Sequence, residues 1–403
     1  MTNEQKALLA LLTAAINGRE AEVCDMAVDW QTVFTEADEQ AVLLLAVDAA
    51  LAQKQNIKSE LYQKWTDRAV CCLVKNAEVE TSQLSLIKLL SDRYPYAILK
   101  GEAAASYYPD PTLRMLGDVD FLIDPEHNDE ISAILCADGF ESSYEEHECH
   151  TVFEKGEDRL EMHREIAGIP HGEIGDRIRA VSKEILKNTV EKDGFPMPCG
   201  YHHGLVLILH MQHHMVSEGI GLRHLCDWAV FVDKTAKEPF WEKDFLPLLS
   251  QIGLLNYAAV MTKTASIALG TCCPEWADAD GKLCKRVIED IFAGGNFGKK
   301  DKAYSRAGFL ISEHGKDGFE KSKYKRAFLT VKATIERQHP AVKKHKILYP
   351  VFFVQKAVRY LILWITGKRP SVKKLASFAD SRKELYQQLK IFEVTKCSKT
   401  TEN

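Results

Sequence analysis

Two acidic residues alternate with apolar ones in the segment Arg114-Met115-Leu116-Gly117-Asp118-Val119-Asp120-Phe121-Leu122. On a β-strand, residues two apart point to the same side of the sheet, with Cα atoms about 6.6 Å apart. Asp118 and Asp120 are therefore predicted to project together, while Val119 and Phe121 face a hydrophobic core. Adjacent carboxylates repel each other unless they hold cations, and two Mg²⁺ ions about 3.5–4 Å apart assist in-line phosphoryl or nucleotidyl displacement. The pattern predicts a divalent metal site at the end of a strand.

A second buried strand precedes this segment at Tyr96-Ala97-Ile98-Leu99-Lys100. It ends at Gly101, and a helix is predicted to start near Glu102. Glycine lets the chain approach a phosphate closely, and a helix N-terminus offers free amides and a positive dipole end to an anion. The strand, turn and helix together indicate a phosphate-binding loop.

A third carboxylate on a neighbouring strand would complete the site. Strands are predicted at His150 to Glu154 and Arg159 to His163, joined by the turn Gly156-Glu157-Asp158. Glu161 lies in the second of them between apolar neighbours, which makes it our candidate for the third acid. His163 faces the same side and is predicted either to orient the acceptor or a metal-bound water, or to be a buried hydrogen-bonding residue.

Two basic residues near the acids each have two interpretations. Lys100 either directs its ammonium at the β- and γ-phosphates of a nucleotide or extends to solvent at the strand end. Arg114 either clamps a phosphate with two hydrogen bonds or braces the aspartate pair.

The rest of the chain has a helical pattern. Residues 1–93 are predicted to form an N-terminal helical lobe, residues 94–195 the domain with the acids, and residues 196–403 a C-terminal helical domain with a basic tail. Strand signals are confined to about residues 94–165, and residues 246–268 are predicted to be helical. The fold class is therefore α+β, with a small mixed sheet between helical lobes.

Five histidines lie close together in the predicted helix after residue 200. Two of them, His210 and His214, are one helical turn apart, a spacing able to bind a metal. No glutamate lies between them as a metalloprotease motif requires. We favour a helix packed on the acidic domain, whose histidines make structural hydrogen bonds or contact the nucleotide or acceptor; the set is His202, His203, His210, His213 and His214. Arg223 and Asp227, at i and i+4, are predicted to pair on a helix surface or between lobes.

The order of these features resembles the minimal nucleotidyltransferase superfamily, which has a polymerase-β-like fold. Its pattern is a glycine turn, an Asp-hydrophobic-Asp on the next strand and a third acid on a later strand. Gly101, the pair Asp118 and Asp120, and Glu161 occupy those places. More narrowly, Leu-Lys-Gly at 99–101 and Arg-x-x-Gly-Asp-hydrophobic-Asp at 114–120 resemble a bacterial family of uncharacterised nucleotidyltransferases. The resemblance continues into residues 161–163 and, more loosely, into residues 221–227 and 294–298.

The resemblance implies a metal-dependent transferase. Asp118 and Asp120 hold Mg²⁺, with Mn²⁺ as an alternative, together with a nucleoside triphosphate. Glu161 completes the second metal site or takes the proton from an acceptor hydroxyl, and pyrophosphate leaves. Besides these acids, the residues expected to contact the nucleotide are Lys100, Gly101, Glu102, Arg114 and Gly117.

The alternative is a catalytically inactive nucleotide-binding or scaffold protein that retains the fold. Glu102 stands where the wider superfamily often has serine, and the interval from Gly101 to Asp118 is longer than usual. A kinase would need His-Arg-Asp and Asp-Phe-Gly motifs, and neither occurs in the sequence.

Composition places the chain among soluble globular proteins: of 403 residues, 46% are hydrophobic and 27% charged. The first residues do not have the pattern of a signal peptide. No transmembrane segment is predicted, because polar residues and a proline interrupt the apolar residues at 347–365. Eleven scattered cysteines without a Cys-x-x-Cys pair are typical of reduced thiols, so a cytoplasmic location is predicted.

Charge is unevenly distributed, with a net of +16 in residues 296–403 against −21 in residues 1–295. Apolar and aromatic residues alternate with cations in the tail, a pattern that suits an interfacial helix on anionic lipid or a surface that guides an acidic substrate. We favour a third interpretation, in which Phe352, Phe353, Tyr360 and Trp364 pack into the helical domain. No stable nucleic-acid complex is expected.

Overall fold

The computed structural model describes residues 1–19, 28–52, 57–91, 93–143, 149–170, 172–300, 345–365 and 382–394, and six residues between 328 and 342. Within these residues the protein is an α+β structure with a five-stranded mixed sheet, a two-stranded sheet and helices on either side in sequence, as predicted. The boundaries proposed at residues 93 and 195 stay predictions.

In the described part of residues 1–95, four helices precede the first strand: α1 (Asn3–Asn17), α2 (Trp30–Glu39), α3 (Leu43–Ala52) and α4 (Ser59–Leu90). Thr2 caps α1 through a capping box with Gln5. Helix α4 is long and buries one stripe at three-to-four spacing, which includes Val79, Leu86 and Leu90. This stripe packs against the sheet, so α4 serves as the support on which the strands lie.

The five-stranded sheet has the spatial order β1, β2, β5, β4, β3. Its strands are β1 (Tyr96–Ile98), β2 (Val119–Ile123), β3 (Glu141–Ser142), β4 (His150–Lys155) and β5 (Asp158–His163). Strand β2 runs antiparallel to β1 and parallel to β5, and β4 runs antiparallel to β5. Helix α5 (Glu102–Ala105) follows β1, and a 3₁₀ turn that begins at Pro125 leads into α6 (Asn128–Ala137). The strands predicted at 96–100, 119–123, 150–154 and 159–163 are thus confirmed within two residues at each end.

The two faces of the sheet differ in chemistry. One face contributes Val119, Phe121, Leu160, Met162 and Phe153 to a hydrophobic core shared with α4 and α6. The other face carries Asp120, Glu161 and His163. The alternation predicted for the aspartate strand is therefore present, since Val119 and Phe121 are at most 2% exposed.

The helices after the sheet form a second and larger core. They are α7 (Glu173–Ser182), α8 (Gly200–Val216), α9 (Leu222–Thr235), α10 (Leu246–Gln251), α11 (Leu255–Leu269) and α12 (Gly281–Gly294), with a π-helical segment at Trp241–Phe245. Helices α1, α2 and α3 belong to this core, which they share with α8, α9, α11 and α12. Asn17 fixes the contact by donating a hydrogen bond to the carbonyl of Leu269 at 2.8 Å.

Two expectations about secondary structure were wrong. Strand structure does not stop near residue 165, because β6 (Thr189–Lys192) and β7 (Phe195–Pro198) form a hairpin beside β1. Its two-residue turn, Asp193-Gly194, has positive φ at both positions, as a type I′ turn requires.

The second error is the single helix expected at 246–268. Helices α10 and α11 are separated by Gly253 (φ +70°), where an added Cβ would lie 2.6 Å from the backbone of residues 392 and 393. The left-handed conformation and the close backbone approach end the first helix there.

The basic tail is described in part. Helix α13 (Tyr349–Ile365) has Pro350 in its first turn, and a helix at 382–389 packs Leu385, Tyr386 and Leu389 into the larger core. Phe352 and Phe353 are partly buried, whereas the side chains of Tyr360 and Trp364 lie outside the described residues. Along the same helix, Val351, Val354, Val358 and Ile362 are exposed.

Among the described residues, no single helix is long and apolar enough to cross a membrane. One bent helix pair, Trp241–Gln251 with Leu255–Leu269, is long and apolar enough when the two helices are taken together. None of the nine described cysteines forms a disulfide bond.

Candidate active site

The polar face of the sheet brings the three predicted acids together. Asp120 and Glu161 are register partners across the parallel pair β2 and β5, and Asp118 immediately precedes β2. The predicted adjacency of the aspartate strand and the Glu161 strand is therefore correct.

Asp120 lies at the centre of this face and is 4% exposed. Its Oδ1 is 2.6 Å from the ammonium of Lys100 and accepts a hydrogen bond from Nε2 of His163 at 2.9 Å. Burial by itself would raise the pKa of Asp120, but Lys100 and His163 outweigh it and hold that pKa well below its usual value. Asp120 is thus ionised, and Lys100 pairs with it rather than extending to solvent.

Asp118 has the opposite electrostatic behaviour. Burial raises the pKa of Asp118 to about 7, and the negative charges of Asp120 and Glu161 contribute to the shift. Two neighbouring carboxyls whose pKa values are driven apart in this way are typical of functional sites.

Arg159 connects the outer acids. It donates to Glu161 Oε1 at 2.9 Å, and its Nε lies 3.6 Å from Asp118 Oδ2. We did not single out Arg159 from the sequence. The available signal was its position two residues before Glu161, which places both side chains on one face of β5.

Asn76 of α4 fixes the loop that leads into Asp118. Its amide donates to the carbonyls of Thr112 and Arg114 at 3.0 and 2.9 Å, and its Oδ1 accepts from the backbone N–H of Leu116 at 2.8 Å. These three bonds hold the loop because an unpaired buried backbone group is costly. Asn76 gave no recognisable signal in the sequence, since its partners are almost 40 residues away.

The glycine turn is present as predicted. Gly101 adopts φ +62° and ψ −119°, a conformation that residues with a Cβ rarely adopt. Gly117 is exposed, and an added Cβ there would meet no atom within 4 Å. Gly117 therefore leaves open backbone near the acids, whereas a Cβ at Gly101 would contact the carbonyl oxygen of Asp118 at 3.7 Å.

The side chain of Glu102 contacts helix α4. Its carboxylate accepts a hydrogen bond from Gln83 of α4 at 2.7 Å. Burial raises the pKa of Glu102 to about 7, with a further contribution from the charge of Glu80. The acid that stands at the serine position of the superfamily thus contacts α4.

We expect Glu102→Gln to stabilise the protein at neutral and alkaline pH. The folded state holds the Glu102 proton more tightly than the unfolded chain does, so stability falls as pH rises from about 4.5 to about 7 and then stays level. The variant should remove this loss, on the order of 1 kcal/mol after allowance for solvent access. Thermal unfolding across this pH range measures it, with Glu78→Gln on the exposed side of α4 as control. Equal pH slopes for wild type and Glu102→Gln would contradict the assignment.

Arg114 forms a buried ion pair. Its Nε and Nη2 donate to the two carboxylate oxygens of Asp227 at 2.8 and 2.7 Å, and the hydroxyl of Tyr108 donates to the same carboxylate at 2.8 Å. Burial would raise the pKa of Asp227, but Arg114 lowers it below the usual value. The expected pairing of Asp227 with Arg223 was therefore wrong, because Arg114 satisfies both oxygens of Asp227.

Arg223 instead lies beside the acids. It donates to the carbonyl of Met115 at 3.2 Å and stacks over the ring of Phe297, and its Nε has no hydrogen-bond partner among the described residues. Its positive charge lowers the pKa of Asp118 and so opposes the effect of burial. Sequence reasoning missed this role because it placed Arg223 in a pair along its own helix.

The histidines of α8 differ in their contacts: His202 stacks on Tyr201, His213 lies beside His214, and the other three fall into two groups. His203 is structural: its Nδ1 accepts from the hydroxyl of Tyr107 at 3.0 Å, its Nε2 donates to the carbonyl of Leu99 at 3.2 Å, and burial lowers its pKa to about 4. His210 and His214 lie edge to face 4.4 Å apart, with His224 of α9 next to both. Burial lowers the pKa of His210, and Lys100 adds to the shift, so this second group lies beside the site as neutral imidazoles.

The acids fit a divalent cation. Asp118, Asp120 and Glu161 offer carboxylate oxygens, the hard donors that Mg²⁺ and Mn²⁺ prefer. The repulsion that raises the pKa of Asp118 would be relieved by a bound cation. Among the described residues, the three-residue group whose potential ligand atoms all lie within 4.8 Å of one another consists of His150, Glu161 and His163.

A mixed sheet that presents an Asp-x-Asp strand beside a parallel strand with a third acid is the arrangement expected of a nucleotidyltransferase. A family model described as "Uncharacterised nucleotidyltransferase" matches residues 26–270, more than half of the chain. The chain belongs to this family, which confirms the resemblance stated from the sequence. Searches of curated proteins and of solved structures found no match.

Proposed function

We propose that the protein transfers a nucleoside monophosphate from a nucleoside triphosphate to a hydroxyl acceptor, in a reaction that depends on Mg²⁺ or Mn²⁺ and releases pyrophosphate. The observation that carries the proposal is the register of Asp120 with Glu161, beside Asp118, on the polar face of the sheet. Membership in a nucleotidyltransferase family supports the class of reaction.

Asp118 and Asp120 are the proposed metal ligands, and Glu161 either completes the metal site or accepts the acceptor proton. A bound divalent cation would neutralise charge on the triphosphate and orient it for in-line attack. In the structure, Lys100 lies 2.6 Å from Asp120 and Arg159 lies 2.9 Å from Glu161. These two acids are therefore paired with basic side chains. Both cations are therefore close enough to move to the incoming phosphates when the acids bind metal.

Three further residues are proposed to bind the nucleotide. The φ of +62° at Gly101 and the open surface at Gly117 let phosphate approach the backbone. Arg223 offers an N–H without a partner among the described residues, close to Asp118. We propose that Arg114 does not contact the nucleotide and instead holds the loop before Asp118. Its guanidinium is hydrogen-bonded to Asp227, and its carbonyl accepts a hydrogen bond from Asn76.

The alternative, an inactive nucleotide-binding or scaffold protein, rested in part on an acid in the phosphate loop. The contact of the Glu102 carboxylate with Gln83 weakens that argument, because the carboxylate engages α4. We keep the cytoplasm as the proposed location.

The experiment follows the two ends of the triphosphate separately. The purified protein is incubated with Mg²⁺ or Mn²⁺, a panel of hydroxyl acceptors, and nucleotides labelled at the α- or γ-phosphate. Transfer of the α-label with stoichiometric pyrophosphate is the expected result. Transfer of the γ-label would identify a kinase, and tight nucleotide binding without pyrophosphate release would favour the inactive alternative. Either result would overturn the proposal.

A further inference from the structure

We propose that His150, Glu161 and His163 form a site for one divalent transition-metal ion, for which Zn²⁺ and Co²⁺ are suitable and Mg²⁺ is not. The inference extends the proposed function, on which it rests for the catalytic use of Glu161. It places a second metal site next to the proposed Mg²⁺ site, with Glu161 as the residue common to both.

The sheet register brings the three residues together. His150 of β4 pairs directly with His163 of β5, and Val152 of β4 pairs with Glu161. Residues two apart on a strand share a face, so both histidines and the glutamate project from the same side as Asp120. One nitrogen of each histidine and one oxygen of Glu161 lie within 4.8 Å of one another, and the two imidazole centroids are 5.0 Å apart. Small side-chain rotations would bring these atoms to the roughly 2.0–2.2 Å distances of zinc ligands.

The hydrogen bond from His163 to Asp120 leaves the other ring nitrogen of His163 available to a metal ion. Its Nε2–H donates to Asp120 Oδ1 at 2.9 Å, and its Nδ1 is buried without a partner among the described residues. A neutral imidazole with one N–H on a carboxylate keeps a lone pair on the other nitrogen. Metal-ligating histidines almost always donate their second N–H to a carboxylate or carbonyl in this way. His163 is 2% exposed, so leaving that lone pair without a partner is costly.

Glu161 can serve two partners at once. Its Oε1 accepts from Arg159, and its Oε2 lies 3.7 Å from Nε2 of His163. The oxygen nearer to His163 is thus the one that Arg159 does not engage. His150 is half-buried, which leaves a route from solvent to the site.

The donor set determines which metal binds. Imidazole nitrogen suits Zn²⁺, Co²⁺, Ni²⁺ and Cu²⁺, whereas Mg²⁺ requires oxygen ligands in an octahedral arrangement. Two imidazoles with one carboxylate leave positions open for water or substrate, as in catalytic rather than structural zinc sites. A metal on Nδ1 of His163 would be linked to Asp120 through the imidazole ring, because Nε2 of the same ring donates to that carboxylate.

The test is a titration of the metal-free full-length protein with Co²⁺, without nucleotide, followed by visible d–d absorption. We expect one Co²⁺ per chain, displaced by Zn²⁺ and not by a large excess of Mg²⁺. His150→Ala should weaken Co²⁺ binding at least about 100-fold, whereas His127→Ala, on the surface beside Glu130, should leave it unchanged. Unchanged binding in His150→Ala, or displacement by Mg²⁺ as readily as by Zn²⁺, would overturn the proposal.

A measurement on the wild-type protein covers the case in which His150→Ala does not fold. Bound Zn²⁺ should protect His150 from carbethoxylation, as read by mass spectrometry, while His127 reacts as before. Equal modification of His150 with and without Zn²⁺ would overturn the proposal. Nucleotidyl transfer is measured separately: transfer with Mg²⁺ but no Co²⁺ binding refutes this inference alone, and Co²⁺ binding without transfer refutes the proposed function alone.

Discussion

Replacing Asp120 with asparagine is expected to lower the rate of nucleotidyl transfer at least about 10³-fold, equivalent to about 4 kcal/mol in transition-state free energy. Asparagine keeps the size of the side chain but removes the charge that Lys100 and His163 now stabilise. Affinity for Mn²⁺, followed by electron paramagnetic resonance, should fall together with the rate. A fall in the rate without a fall in Mn²⁺ affinity would instead indicate that the variant binds the acceptor poorly.

A matched control is available for the Asp120 variant. Asp138 also pairs with a lysine, Lys155 at 2.9 Å, but on the surface. Asp138→Asn should leave both the rate and Mn²⁺ binding within about twofold of wild type, because exposed ion pairs contribute little. Circular dichroism verifies that Asp120→Asn is folded. A folded Asp120→Asn protein with wild-type transfer would refute the assignment of this strand as the metal site.

Removal of Arg114 is expected to cause the largest loss of stability. Arg114→Met leaves the buried Asp227 carboxylate with one hydrogen-bond partner among the described residues, the hydroxyl of Tyr108. Breaking a buried ion pair in this way costs about 3–5 kcal/mol. Urea unfolding measures the change. The stability that the pair provides should also be lost on acidification, since the pKa of Asp227 is lower in the folded state than in the unfolded chain.

The control for Arg114 is Arg68, which pairs with Asp38 at 3.0 Å with 48% of its side chain exposed. Arg68→Ala should cost at most about 1 kcal/mol. If the two variants unfold at the same urea concentration, the Arg114–Asp227 pair does not have the role assigned to it.

Local patterns in the sequence predicted much of the site. Alternation at 118–122 predicted the strand, its buried face and the joint projection of the aspartates, and the apolar neighbours of Glu161 predicted the next strand. The hairpin at 189–198 was missed although Asp193-Gly194 is a strong turn signal. One of its strands contains Pro196 and Pro198, and proline is rare inside strands.

Contacts between distant segments could not be predicted in the same way. Arg114 and Asp227 are 113 residues apart, and the sequence offers Arg223 as a partner only one helical turn away. Helical periodicity indicated the near partner, whereas the packing of α9 beside α5 brings Asp227 to the distant one, Arg114. Of the two proposed imidazole ligands, only His163 was a candidate from the sequence. His150 acquires a role only when the register of β4 with β5 is known.

The sharing of one core by α1–α3 and α8–α12 has a consequence for how the chain folds during synthesis. The core around the sheet draws on residues 79–197 and can form while translation continues. Helix α1 packs on α2, α3 and α11 and buries its leucines in the shared core. Helix α11 ends at residue 269, more than 200 residues after α3. At 5–20 residues per second, that apolar surface stays without its final partner for roughly 10–40 s. The first helices made are thus among the last to reach their native contacts, and the nascent chain is most prone to aggregation during that interval.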